Sequence, residues 1–283
     1  MIDNISLVSR LNTSSSSSPS PDDDYSNIID LLISGYESQE MALQCGLMLR
    51  ECIKYNELLY NVLNKYQSKR VWQLIDLYLN QNSSFDVVSD AFSTLRALLL
   101  PLSSINNNSS SSSSSSSYNI SNDSDIINSK QIVSSFLESN YNKFFKCYES
   151  LILSDNYVTR RSSLKLLGEL LIESSNQNIL IQFVNSSYNL KIFMLLMKDK
   201  SSTIQIEAFH VFKLFVVNPR LSEDVKKVLI NNKQKLEIYL QSLKSNSNSN
   251  NNDTSGGGGS DNDGSNNFHI DRQRVIDTIS NLQ

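Results

Sequence analysis

Asn156–Pro219 opens NYVTRRSSLKLLGELLI (156–172), passes a polar break, and closes with KIFMLLMKDK (191–200) and STIQIEAFHVFKLFVVNP (202–219). The spacing predicts three consecutive amphipathic helices. In the first, Ser163, Leu164, Leu167, Leu170 and Leu171 recur at i, i+1, i+4, i+7 and i+8, one apolar stripe on a 3.6-residue period. Ala208, Phe209, Phe212, Phe215 and Val216 repeat that spacing with the same small-then-large opening pair.

The same unit is visible outward from this stretch. MALQCGLMLRECI places Ala42, Leu43, Gly46 and Leu49 in these slots, after a short apolar helix (Ile28–Leu32) stopped at Gly35 and a cap at Ser38. FDVVSDAFSTLRALLLP places Ala91, Phe92, Leu95, Leu98 and Leu99 there and ends at Pro101. Helical pattern also covers 58–66, 71–80, 130–153 (one long helix or two short ones) and 224–243. The small residues Ala42, Ala91, Ser163 and Ala208 are 49, 72 and 45 apart. Removing the Ser-rich insert brings the middle separation to about 46, the period of armadillo and HEAT arrays with two or three helices per unit. No alternating apolar pattern competes. The expected fold is all-α, an armadillo/HEAT-like α-solenoid forming a right-handed superhelix with an extended concave surface.

Composition sets the organisation. Residues 1–26 read as a disordered Ser/Pro/Asp tail, 27–243 as the repeat domain with a disordered insert at 103–128, 244–267 as a flexible linker, and 268–283 as a terminal helix. A long surface insert adds little closure entropy, so the array tolerates it. Net charge is −4, which gives the chain as a whole no basic signature for nucleic acid. No apolar run reaches the length of a membrane span and no signal peptide is apparent. Cys45, Cys52 and Cys147 are a sparse, odd set read as free thiols, which points to a reducing, cytoplasmic setting.

No catalytic constellation emerges. GGGG at 256–259 lies in the linker with no Lys and no strand–helix unit after it. His210 and His269 are the two histidines, and His210, beside Phe209, reads as structural. DNDG at 261–264 fails as a calcium loop, because Gly259 and Ile270 stand where ligands are required. Neither a cofactor nor a metal is expected. Tyr157, Arg160, Arg161 and Lys165 form a polar and aromatic cluster in which Tyr157, Arg161 and Lys165 share one helical face. That face reads either as ordinary solvated surface or as a protein-binding hot spot on an inner helix.

GYESQEMALQCGLMLRECI (35–53), FDVVSDAF (85–92), NYVTRRSSLKLLGELL (156–171) and DKSSTIQIEAFHVFKLFVVNP (199–219) closely resemble the Mo25 scaffold family, also called calcium-binding protein 39. The resemblance covers about 27–243 outside the insert. It implies a non-enzymatic armadillo-like scaffold that binds the pseudokinase STRAD and germinal-centre-type Ser/Thr kinases. Such a scaffold stabilises their closed, active-like conformation and helps activate a partner such as the liver kinase. It further implies that Phe85, Tyr157, Arg161 and Lys165 grip the kinase partner on the concave face. Lys191, Met194 and Lys235 match residues around a pocket for a C-terminal Trp-Glu-Phe peptide. There the thioether of Met194 offers an adaptable wall to an aromatic ring and the lysines attract carboxylates. Three departures stand out. Asn231 replaces a basic pocket residue. Ser174 and Gln177 replace an Arg and a Phe that the family turns towards the liver kinase. A Ser/Pro tail stands where the family has earlier repeats, which predicts exposed apolar surface at Ile28–Leu32. A polarity or cytoskeletal adaptor without kinase activation, or a shortened paralogue with lost activity, is the alternative reading.

Overall fold

The computed structural model describes residues 21–64, 69–79, 84–101, 123–243 and 262–282. These form fourteen α-helices and two short 3-10 turns, with no strand among the described residues. In chain order they are α1 (Pro21–Ser34), α2 (Ala42–Cys52), α3 (Asn56–Leu63), α4 (Lys69–Leu79), α5 (Phe85–Leu99), α6 (Asp123–Ser139) and α7 (Tyr141–Ile152). They continue as α8 (Tyr157–Ile172), α9 (Gln177–Val184), α10 (Ser187–Leu196), α11 (Ser202–Val217), α12 (Glu223–Asn231), α13 (Lys233–Ser242) and α14 (Asn262–Ser280).

Packing sorts the helices into threes. One ladder consists of α2, α5, α8, α11 and α14: α2 packs on α5, α8 on α11 and α11 on α14. The Arg96 guanidinium reaches Glu169 at 2.5 Å and joins α5 to α8. A second column runs α1, α4, α7, and a third runs α3, α6, α9. The described chain is therefore two helices followed by four three-helix units, an all-α solenoid as the periodicity predicts.

The reason lies in the slots. Ala42, Ala91, Ser163 and Ala208 are all fully buried, so neighbouring helices approach closely at each of them. One reading needs correction: Leu43 is 41% exposed, while Ala42, Cys45, Gly46 and Leu49 are buried. The small pair of α2 is thus Cys45–Gly46, which sits 46 residues before Ala91. Gly46 is required by space. A Cβ there would lie 1.8 Å from Asp90 Oδ2 and 2.4 Å from the Tyr36 hydroxyl. Those atoms belong to a network in which Arg50 donates to Asp90 Oδ1 at 2.7 Å and to Thr94 at 2.7 Å. Tyr36 donates to Asp90 Oδ2 at 2.7 Å.

Between the columns the core is aromatic. Trp72 lies 6.2 Å from Phe136 and 6.3 Å from Phe144. The chain of rings continues through Phe145 to Phe183 (5.1 Å) and from Phe183 to Phe215 (5.8 Å). Each buried Phe contributes about 1.5–3 kcal/mol by removal from water, so the rings bind unit to unit.

Several boundaries differ from the sequence expectation. The stretch 156–219 holds four helices, because α9 occupies the polar break: the Glu173 side chain caps a turn at Ser174–Asn176 and α9 starts directly after it. The region 130–153 is two helices, divided at Asn140, whose side chain donates to the Phe136 carbonyl at 2.9 Å. The region 224–243 is likewise divided, at Asn232. Helices α1, α6 and α14 begin at Pro21, Asp123 and Asn262, inside the segments read as tail, insert and linker. Each start carries a helix-initiating signal: proline at the first position with Asp22–Asp24 behind it, Asp123 with Asp125, and Asn262 with Asp263. The rest of those three segments lies outside the described residues. No single described helix is long and apolar enough to cross a membrane.

A candidate protein-binding face

Helix α8 is started by Asn156, whose side-chain oxygen accepts from Val158 N (2.9 Å) and Thr159 N (3.2 Å). Its buried side carries Leu164, Leu167, Leu170 and Leu171. That leaves Tyr157, Val158, Arg161 and Lys165 exposed along the opposite side, with Tyr157 45% exposed. Tyr157, Arg161 and Lys165 therefore do share one open face.

Arg160 does not belong to it. Its Nε donates to the Ser154 carbonyl at 2.8 Å and its Nη1 pairs with Asp199. Asp199 in turn accepts from Ser201 N at 2.8 Å, and its carbonyl accepts from Gln205 at 2.7 Å. Arg160 thus ties the start of α8 to the loop that starts α11, and so sets the angle at which Tyr157 and Arg161 are presented.

Sequence reasoning missed Glu207 on α11. Burial pushes its carboxyl above the usual range, while the charges of Lys165 and Arg161 pull it back and Glu169 pushes it up. The face between α8 and α11 is consequently of mixed charge. A signal existed: Glu207 immediately precedes the slot residue Ala208, and Asp90 immediately precedes Ala91. In both helices the acidic residue at that position is turned to a basic residue of the preceding rung, Arg50 for Asp90 and Arg161 and Lys165 for Glu207.

Phe85 is the first residue of α5 and is 70% exposed. It stands six residues before Ala91, as Tyr157 stands six before Ser163. The two aromatic side chains accordingly hold the same register on successive rungs of the ladder.

The second predicted group is spread over two helices. Lys191 is exposed on α10, Met194 is half-buried against the core, and Lys235 is exposed on α13. The Tyr239 hydroxyl donates to the Met197 carbonyl and pins α13 to the end of α10. Leu195 and Ile238, each 70% exposed, add apolar surface on these same helices that the sequence reading did not single out. Asn231, Ser174 and Gln177, the points of departure, are all exposed.

A groove of about 970 Å³ lies elsewhere, between α7 and the α9–α10 junction, lined among others by Tyr141, Phe145, Glu149, Asn185, Tyr188 and Asn189. It does not include Lys191, Met194 or Lys235. Burial pushes the Tyr141 hydroxyl up to about 12, with the Asn189 side chain drawing it down.

His210 is half-buried, 6.4 Å from the Phe268 ring, and burial together with Lys213 holds its pKa below the ordinary histidine value. Burial raises the thiols of Cys45 and Cys52, which keeps them protonated. Among the described residues no group of three or more His, Cys, Asp or Glu is placed to hold a metal.

Stacked three-helix units with one continuous ladder of helices define an armadillo-type repeat protein. The Mo25-like family model matches residues 6–108 and 108–283. The chain is 40% identical over 219 residues to the Mo25-like protein of Schizosaccharomyces pombe, covering 77% of this chain and 57% of that protein. It is 39% identical over 220 residues to the degreening-related gene dee76 protein of Auxenochlorella protothecoides (78% and 59%). With the human calcium-binding protein 39-like protein it shares 38% identity over 218 residues (77% and 55%). The chain belongs to the Mo25-like family. It spans a little over half the length of these relatives.

Proposed function

We propose that this chain is a non-catalytic cytoplasmic scaffold whose inner face binds a STRAD-like pseudokinase or a germinal-centre-type Ser/Thr kinase and favours its closed conformation. The observation that supports the reading is the open face of α8: Tyr157, Arg161 and Lys165 stand exposed together on one helix of the ladder in a Mo25-like chain. Phe85 extends that face one rung back, and Arg161 and Tyr157 are residue types that dominate binding energy when an interface covers them. Activation follows by population shift: a scaffold that binds the closed kinase better than the open one favours the closed form in proportion to that difference. Lys191, Met194 and Lys235 serve in this reading as the seat of a C-terminal Trp-Glu-Phe-type peptide. The neutral Asn231 weakens charge pairing there. Ser174 and Gln177 alter the contact to a second, activated kinase.

The test is a kinase assay with purified germinal-centre-type kinase. Wild-type protein is expected to raise kinase activity and Arg161→Glu to abolish the rise. Equal stimulation by both proteins rejects the assigned face, and no kinase in a pull-down favours an adaptor of cell polarity or the cytoskeleton.

A further inference from the structure

The groove between α7 and the α9–α10 junction takes no part in the α8 face. Its volume of about 970 Å³ lies at the upper end of the range for ligand sites, roughly 300–1,000 Å³. One side is aromatic: the rings of Tyr141 and Phe145 are 4.6 Å apart, and Phe145 rests on Phe183 at 5.1 Å. Tyr188 stands on the opposite wall and is 58% exposed, yet its hydroxyl donates to Glu149 Oε1 at 2.7 Å across the groove. That bond holds the Tyr188 ring beside the carboxylate and takes up one of its two oxygens. Glu149 Oε2 has no partner among the described residues. Nor do the exposed side-chain amides of Asn142, from α7, and Gln182, from α9, which line the two walls. Lys146, exposed one turn before Glu149, forms no ion pair with it.

We propose that this groove seats an extended peptide segment of a partner protein through one basic residue, arginine in preference to lysine. An open carboxylate oxygen beside an exposed aromatic ring is the complement of a cation: the ring face attracts the charge and the oxygen accepts its hydrogen bond. A planar guanidinium stacks on Tyr188 while it donates to Glu149 Oε2; the compact, strongly hydrated ammonium of lysine does the two together less well. The amides decide the form of the rest of the segment. Asn142 and Gln182 each offer a donor and an acceptor, the pair that one peptide unit needs. A helical ligand satisfies those backbone groups internally, so extended backbone is the form that uses both walls. Lys146 repels a second positive charge, and the segment therefore carries one basic residue rather than a basic run. A lone carboxylate is too small a ligand set for a metal ion, and no group of three or more acidic, His or Cys residues stands among the described residues. Glu149 and the net charge of −4 both disfavour a nucleic acid.

NMR titration of the full 283-residue chain with the capped peptide acetyl-Ala-Ala-Arg-Ala-Ala-amide tests this. The side-chain amide signals of Asn142 and Gln182 are expected to move, with a dissociation constant on the order of 1 mM or tighter. The same peptide with citrulline, the neutral isostere, in place of arginine is expected to bind at least ~10-fold more weakly. Glu149→Gln, at a half-exposed position, is expected to bring the arginine peptide down to the citrulline level while the melting curve read from Trp72 stays that of wild type. Four results overturn the proposal: no movement of the groove signals up to roughly ten times that concentration, equal binding of the arginine and citrulline peptides, equal binding by wild type and Glu149→Gln, or movement of the same signals by an oligothymidine and not by the peptide. No kinase enters the experiment, so its outcome is independent of the face assigned to α8.

Discussion

Two glycines in the ladder of α2, α5, α8, α11 and α14 are expected to respond to alanine with opposite signs. At Gly46 a Cβ meets Asp90 Oδ2 at 1.8 Å and the Tyr36 hydroxyl at 2.4 Å, so α2 must move or the carboxylate must leave. Overpacking of this kind costs about 1–3 kcal/mol. Displacing Asp90 also breaks its hydrogen bonds from Arg50 and Tyr36, worth roughly 1.5–3 kcal/mol for a charged group and less here because Arg50 keeps some access to water. Gly46→Ala should therefore destabilise by about 3 kcal/mol. At Gly168, in α8, the nearest atom to an added Cβ is Val211 Cγ2 at 3.8 Å, an ordinary contact. Gly168→Ala should stabilise by about 0.5–1 kcal/mol through helix propensity and the loss of unfolded-state freedom. Trp72, the one tryptophan, packs on Phe136 and Phe144 and reports unfolding by its fluorescence. With a urea slope of about 2 kcal/mol/M, Gly46→Ala lowers the midpoint by about 1.5 M and Gly168→Ala raises it by a few tenths. Equal midpoints for wild type and Gly46→Ala would refute the placement of α2 against α5.

Three further outcomes follow from particular contacts. Arg160→Ala removes the tie between the start of α8 and the α10–α11 loop; it should cost about 1–3 kcal/mol in a melting experiment, with partial recovery in Arg160→Lys. Phe85→Ala and Tyr157→Ala, at exposed positions, should leave stability within about 0.5 kcal/mol of wild type yet weaken kinase capture at least ~10-fold in a titration. The imidazole of His210, faced by Lys213 and Asp271, has a depressed folded pKa. Its contribution to stability is full above the unfolded value near ~6.5 and is lost as pH falls through the folded value. NMR titration should find its midpoint below that of free histidine, and a higher midpoint would contradict its burial against Phe268.

What was legible in the sequence was whatever repeats. The slots at Ala91, Ser163 and Ala208 mark three of the ladder helices, because only a small residue lets stacked helices approach. Helix α9 was hidden because its entry, Ser174–Gln177, is polar and its apolar residues fill barely two turns. The shared face of Tyr157, Arg161 and Lys165 follows from helical spacing alone. The direction of Arg160 does not, since its partner Asp199 is 39 residues away and is brought near only by the packing of α8 on α11. Glu207 escaped notice for the same reason: its neighbours lie on another rung.

Hydrogen exchange of the chain with and without a bound germinal-centre-type kinase tests the central claim most directly. Protection that concentrates on Tyr157–Lys165 and on the first turn of α5 at Phe85 is the predicted result. Protection confined to the groove beside Tyr141 and Tyr188, with α8 unchanged, would place the partner elsewhere and contradict the account.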